Sequence, residues 1–380
     1  MHILIAPNAF KNSLDAGAVA VAIAKGLQQS RLTCTTESFP IGDGGDGTGE
    51  LIIQKCNGFF AKAEVNDPLG KKVDASYGFI DEGTTAVIEM AAASGLRLLR
   101  GDELDPLHAS SYGTGQLIKQ ALDKGVRKII LCVGGSATVD GGAGILQALG
   151  IRFLDEKGNE LTGLPENLVH LATVDISGLN ARIHQCECTI LCDVANTLLG
   201  GKGAASIFGP QKGASEKQVL QLEAALTQFR QIAFQTTGID MAGIVHGGAA
   251  GGVVAGLYAF LGAHPVNGID HFLDITGFDK ALQKAAIIIT GEGCIDLQTL
   301  EGKGPYGVAI RAKKKKIPVI ALAGKVPLHH HAELNACFDL LLAIGHEPAD
   351  VQAAMLCTAE NLTRTAMQLG NLLSIVRKES

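Results

Sequence analysis

The opening stretch, HILIAPNAFKNSLDAGAVAVAIAKGLQQSRLTCTTESFPIGDGGDGT (residues 2–48), decides the fold. Residues 2–6 read as a short, continuously apolar strand, and 8–13 as a polar loop in which Ser13 is placed to cap a helix reaching about Gln29. Residues 33–39 alternate as a second strand, and the glycine-rich loop 40–48 leads into a short helix ending near Gln54. A strand apolar along its whole length is buried on both faces. This β-α-β-loop-α order therefore predicts a parallel sheet with helices on its faces.

Working outward, the pattern changes near Gly58: residues 59–90 carry strand signals broken by turns at 67–70 and 81–83, the spacing of antiparallel hairpins. A helix is predicted over 110–124 and a strand over 128–133. The loop 134–142 then opens a helix to about Leu149, with weaker strands near 151–154 and 189–193. Ser215 and Gln218 have capping-box spacing, and Val219, Leu222, Leu226, Phe229 and Ala233 repeat at helical period as a core face. Residues 247–252 lead into a helix ending near Ala263. Parallel alternation returns with strand 286–290, helix 305–316, strands 318–323 and 340–344, and a helix from Asp350 to about Leu373. The expected fold class is α/β with two domains. One is a Rossmann-like parallel sheet in a discontinuous domain, 1–66 and 285–380; the other is an inserted mixed α/β domain, 67–284. The cleft between them is the expected ligand site.

Composition narrows the function. With 47% hydrophobic and 18% charged residues the chain buries a large core. A net charge of −6, with 4% aromatics and no Trp, argues against nucleic acid and anionic membranes as partners. No signal peptide or spanning segment is read, so a cytoplasmic location is expected, as a monomer or homodimer. The nine Cys form no CxxC pair, and Cys186, Cys188 and Cys192 fall on one face of a strand-like run, as reduced core thiols do. Glycine is the outlier: 48 residues, against roughly 27 at average usage. The excess sits in five loops, 40–48, 134–142, 200–214, 247–252 and 291–304, a pattern that suits close approach of backbone to a ligand.

None of these loops is a Walker A or a GxGxxG fingerprint. Loop 134–142 follows a buried strand and opens a helix, so its free N–H groups suit an anion and Ser136 and Thr138 add hydroxyls; a tight turn capped by Asp140 is the alternative. Loop 40–48 presents Asp43 and Asp46 among glycines, as metal or hydroxyl ligands or as plain turn residues. Loop 291–304 mixes Glu292, Asp296, Gln298 and Lys303, the combination that phosphoryl transfer requires, with an ordinary strand–helix crossover loop as the alternative. Lys11 lies beyond the carboxyl end of the first strand, where open α/β sheets bind ligands, with a plain surface lysine as the alternative. Asp193 fits a base or metal ligand, with a cap or turn role as the alternative. The backbone groups of Gly44, Gly45, Gly134, Gly135 and Gly291, with Ser136, Thr138 and Gln298, are the candidate contacts of substrate and nucleotide. His329, His330 and His331 point in different directions when consecutive and read as a solvated loop.

Five ordered blocks carry a resemblance: APNAFKNSLDA, PIGDGGDGT, VGGSATVDGGAGILQALG, CDVANTLLGGKGAASIFGPQKGA and TGEGCIDLQTLEGKGPYGVA. The chain resembles the bacterial type-1 glycerate kinase (glycerate 2-kinase) family over essentially its whole length. That resemblance implies two α/β domains with the active site between them, and transfer of a phosphoryl group from ATP with Mg2+ to D-glycerate, chiefly at the 2-hydroxyl. It also implies that Lys11, Asp43, Asp193, Glu292, Asp296 and Lys303 lie near the reacting groups. The blocks depart from the family's usual residues at Ala9, Asn12, Gly42, Asp46, Thr197 and Cys294. Cys294 stands where Arg is usual, and a thiol lacks the planar fork of a guanidinium.

The expected scheme has Lys11 and backbone N–H groups on the glycerate carboxylate, and Asp193, or else Asp43, accepting the hydroxyl proton. Glu292 and Asp296 are the metal ligands, and Lys303 offsets charge on the moving phosphoryl group. The alternatives are the same enzyme giving 3-phosphoglycerate, a dinucleotide-dependent dehydrogenase of a small hydroxy acid, and a binding protein without catalysis.

Overall fold

The structure, a computed structural model, describes residues 1–378. Its strands are β1 (His2–Ile5), β2 (Thr35–Ser38), β3 (Phe59–Asn66), β4 (Lys72–Ile80), β5 (Thr85–Glu89), β6 (Lys128–Cys132), β7 (Arg152–Leu154), β8 (Thr173–Asp175), β9 (Glu187–Cys192), β10 (His264–Asn267), β11 (Ile287–Cys294), β12 (Val319–Lys325) and β13 (Leu340–Ala343). The chain divides into two compact units, Met1–Asp43 with the chain from Ile269 onward, and Gly44–Gly268.

The first unit is built on a five-stranded sheet of order β13-β12-β11-β1-β2. Every pairing in it is parallel, from Ile3 beside Ile287 to Ile320 beside Leu340. Ile3, Ile5, Ile289 and Leu322 are buried in its core with Val19, Ile23 and Leu27 of the helix Ala16–Gln28. The C-terminal helix, Thr358–Lys378, packs on that helix through Leu362, Ala366 and Leu369. The second unit holds a six-stranded sheet of order β10-β9-β6-β5-β4-β3, in which β3, β4 and β5 form antiparallel hairpins and β5, β6, β9 and β10 run parallel. Among the described residues, no helix is long and apolar enough to cross a membrane.

Several local expectations are corrected. Asp15, not Ser13, caps the first helix by accepting the Ala18 amide at 2.8 Å. Ser13 lies 2.7 Å from both the Met355 carbonyl and the Thr358 hydroxyl. The first unit's chain leaves at Asp43 rather than at residue 66, because β3 pairs with β4 along its whole length, from Phe59 beside Phe79 to Asn66 beside Lys72. It re-enters at Ile269 rather than 285. The last helix is two, Val351–Leu356 and Thr358–Lys378, the first capped by Asp350. β10 carries no clear strand pattern; it is a strand because it finds the edge of β9.

The close approach of the two long helices depends on Gly26. A Cβ there would lie 2.3 Å from the Thr363 carbonyl and 2.7 Å from the Ala366 methyl. Gly26→Ala is therefore expected to lower stability by about 1–3 kcal/mol through overpacking, against the roughly 1 kcal/mol that Ala gains inside a helix. Urea denaturation checks this, and an unchanged or raised midpoint refutes tight packing at this seam.

Candidate active site

In the first unit the connection from β1 to β2 runs to one side of the sheet, and the strands β11, β12 and β13 run to the other. The order reverses between β1 and β11, and in open α/β sheets the crevice outside the carboxyl ends at such a reversal is where ligands bind. The pairing continues past the end of β1, with the Ala6 amide on the Ile289 carbonyl (2.7 Å), the Asn8 amide on the Gly291 carbonyl (2.8 Å) and the Thr290 hydroxyl on the Ala6 carbonyl (2.7 Å). β11 runs four residues beyond the predicted 290. Gly291 and Glu292 are therefore strand residues paired with Leu322 and Ala323. A Cβ at position 291 would sit 2.1 Å from the Leu322 carbonyl, so a glycine is required here by packing.

This edge gathers four of the predicted residues. Glu292, 8% exposed, accepts the Thr299 hydroxyl at 2.8 Å. Desolvation pushes its carboxyl up to about 7; the repulsion of Asp43 adds to this, while the Thr299 hydrogen bond and the charges of Lys303 and Lys11 oppose it. Asp43 is buried, and its Oδ2 accepts the Asn8 amide nitrogen at 2.7 Å and the Gly304 backbone amide at 3.3 Å. Gly304 begins the helix Gly304–Lys314 and Lys303 is its N-cap, so Asp43 stands at the positive end of a helix dipole. Lys11 is exposed, and its backbone passes Gly293.

Asp296 caps the turn Leu297–Glu301 by accepting the Gln298 amide at 2.9 Å, and its other oxygen accepts the Cys294 thiol at 3.5 Å. The Gln298 side chain is exposed. Among the described residues no group of three or more His, Cys, Asp or Glu forms a metal cage, and His329 and His330 are exposed. The two buried carboxylates Glu292 and Asp43 are nevertheless the hard oxygen donors of which a magnesium ion takes one or two.

The second unit gathers the glycine loops at the carboxyl ends of β6 and β9. The Gly134 amide donates to the Gly44 carbonyl at 3.0 Å, and a Cβ on Gly134 would lie 2.4 Å from the Gly45 Cα. Gly44 itself passes the Leu191 carbonyl, two residues before Asp193. Much of the glycine excess thus serves loop-on-loop packing; Gly251, too, presses on the Thr138 carbonyl. Asp140 accepts the Ser111 amide and hydroxyl and the amides of Gly142 and Gly144, which is the capping role weighed for it. Gly135 has positive φ and Asp46 pairs with Arg97 at 2.9 Å. Burial pushes the Cys186 thiol up to about 11 and those of Cys188 and Cys192 to about 12, so these are inert core groups.

Sequence reading missed three polar residues. Asn8 orients Asp43; an amide at the end of the first strand was the available signal. Glu89 ends β5, accepts the Gly49 amide at 2.7 Å, and is pushed above the usual carboxylate range by burial and then by Asp46. An acid closing an apolar run was its signal. Lys212 is buried against loop 134–142, and nothing local marks that.

The glycerate kinase family model matches residues 3–374. The chain is 42% identical over 380 residues to the glycerate 2-kinase of Escherichia coli K12, covering 99% of this chain and 98% of that one. It is 40% identical over 377 residues to the glycerate kinase of Bacillus subtilis 168, covering 99% of each. A crystal structure from Salmonella typhimurium LT2, provisionally named glycerate kinase 2, superposes with a TM-score of 0.83 at 41% identity, covering 100% of this chain and 99% of that one.

Glu292 predicts a pH signature. Folding raises its pKa from 4.5 to about 7, so its contribution favours the folded state fully below the lower value and is lost as pH rises through the higher one. The span corresponds to a loss on the order of 3 kcal/mol. Urea denaturation of the ligand-free protein should show stability falling over this interval, and Glu292→Gln should flatten the fall; equal pH profiles would refute the buried, proton-holding carboxyl.

Proposed function

The chain belongs to the glycerate kinase family, and from that premise we propose that it transfers the γ-phosphoryl group of ATP to the 2-hydroxyl of D-glycerate, giving 2-phosphoglycerate. The observation that carries this reading is the meeting of Glu292, Asp43, Lys303 and Lys11 at the strand-order reversal of the first unit. Phosphoryl transfer is chiefly a matter of positioning and of stabilising charge, and this edge offers paired carboxylates between two cations.

In this scheme Lys11 and neighbouring backbone amides hold the glycerate carboxylate. Lys303, at a helix N-terminus, offsets the charge that develops on the moving phosphoryl group. Glu292, with Asp43 beside it, would hold magnesium, and Asp296 keeps the following turn in place. When bound, that ion neutralises charge on the phosphate oxygens. Asp193 accepts the hydroxyl proton. Asp43 is the second candidate for that step, because its Oδ2 is already engaged by the Asn8 side-chain amide and the Gly304 backbone amide. The turns at Gly44, Gly45, Gly134 and Gly135, with Ser136 and Thr138, serve the nucleotide. The position of phosphorylation is supported by the name of the Escherichia coli relative. Nine free thiols and a need for ATP fit a cytoplasmic protein, and the acidic net charge fits one that works without nucleic acid.

Incubation with ATP, magnesium and D-glycerate, followed by NMR of the product, is expected to show phosphate on the second carbon. Phosphate on the third carbon overturns the regiochemistry, and no phosphorylated glycerate overturns the function. Asp193→Asn should lower kcat by roughly 10²–10⁴-fold with an unchanged Tm; a near-normal kcat removes Asp193 from proton transfer.

A further inference from the structure

Lys212 is 2% exposed, and the scheme above does not use it. It ends the short turn Pro210–Lys212 in the second unit. Its Nζ donates to the Ser136 Oγ at 2.9 Å and to the Thr138 carbonyl at 2.7 Å. Removing an ammonium from water is expensive unless charge and hydrogen bonds compensate. The charged group acting on Lys212 is Asp140, whose oxygens already accept donors from Ser111, Gly142 and Gly144. Desolvation outweighs that attraction and pushes the lysine down to about 7. The Thr138 hydroxyl on the same turn is fully buried and has no hydrogen-bond partner.

The direction of the first hydrogen bond matters. A lysine ammonium can only donate, so the Ser136 oxygen is the acceptor. The serine's own proton must then point away from Lys212, free for another acceptor. A neutral amine can accept instead, which lets the serine proton turn inward.

We propose that Lys212 is a positioning residue of a phosphate-binding turn: it pins residues 136–138, holds the Ser136 hydroxyl as an outward donor to a nucleotide phosphate, and places a positive charge behind that hydroxyl. This rests on the ATP-dependent reading above, with Ser136 at the nucleotide. It follows that ATP affinity falls as pH rises through about 7, where the ammonium is lost.

The test measures KM for ATP, KM for glycerate and kcat across roughly one to two pH units on each side of neutrality. The proteins are the wild type, Ser136→Ala, Lys212→Met and the double variant. Each single variant should raise KM for ATP roughly tenfold, as loss of one charge-assisted hydrogen bond does. The effect should fall on ATP rather than on kcat or glycerate. The double variant should be no worse than either single one, because both remove the same interaction. The wild-type rise in KM for ATP with pH should be absent in Ser136→Ala. ATP's own titration is common to both proteins, so only the difference counts. That comparison leaves Lys212 in place and decides the matter even if Lys212→Met fails to fold.

A raised KM for ATP in Ser136→Ala with none in a folded Lys212→Met, or an unchanged pH dependence in Ser136→Ala, overturns the role of Lys212 and leaves the kinase reading standing. An unchanged KM for ATP in Ser136→Ala removes the serine, and this proposal with it. No phosphorylated glycerate from the wild type is the separate failure of the kinase reading.

Discussion

Strands that all run parallel deliver every following loop to the same edge of their sheet. In the first unit this constraint joins the two ends of the chain. β1 comes from the extreme N-terminus and β11 from the C-terminal third, and they pair in register. The hydrogen bonds from Ala6 and Asn8 to β11 carry that pairing beyond β1 itself. Asn8 and Asp43 from one end of the chain and Glu292 and Lys303 from the other therefore meet without any local signal joining them. The second unit is accommodated because the β1–β11 ladder closes the first unit regardless of what lies between.

The edge so formed is electrostatically tense. Glu292 and Asp43 are both buried, and Asp43 adds to the desolvation that disfavours the ionised form of Glu292. Lys11 and Lys303 relieve only part of this, and a hydrogen bond from Thr299 another part. Tension of this kind is tolerated where a ligand completes the balance, and it makes the edge a functional candidate on physical grounds. The second unit carries the opposite case: a buried ammonium on a turn, opposed by a carboxylate already engaged by backbone amides. One edge holds a carboxyl whose ionised form its two lysines only partly support, and the other holds an ammonium that its single carboxylate only partly supports.

The glycines read differently in three dimensions. As a sequence signal their clustering suggests ligand-facing backbone. In the structure Gly134 presses on Gly45, Gly251 on the Thr138 carbonyl, and Gly291 on the Leu322 carbonyl. Glycine here first lets loops and strands approach one another, and any ligand contact is made by the groups those approaches leave facing outward.

Much was legible locally. The apolar run of β1, the hairpin turns at 67–70 and 81–83, the Ser215–Gln218 capping box and the acids and lysines of loop 291–304 all follow from periodicity and residue chemistry. Those signals act over a few residues, so the order of elements, the α/β class and most candidate residues were within reach of the sequence. The extension of β11 through Glu292, the pairing of β3 with β4 that moves the unit boundary to Asp43, the capping by Asp15, the desolvation of the half-buried Glu89 and the burial of Lys212 were not. Each is decided by which neighbour an element finds. Ladder hydrogen bonds and desolvation are long-range consequences of packing, and a sequence window carries no record of them.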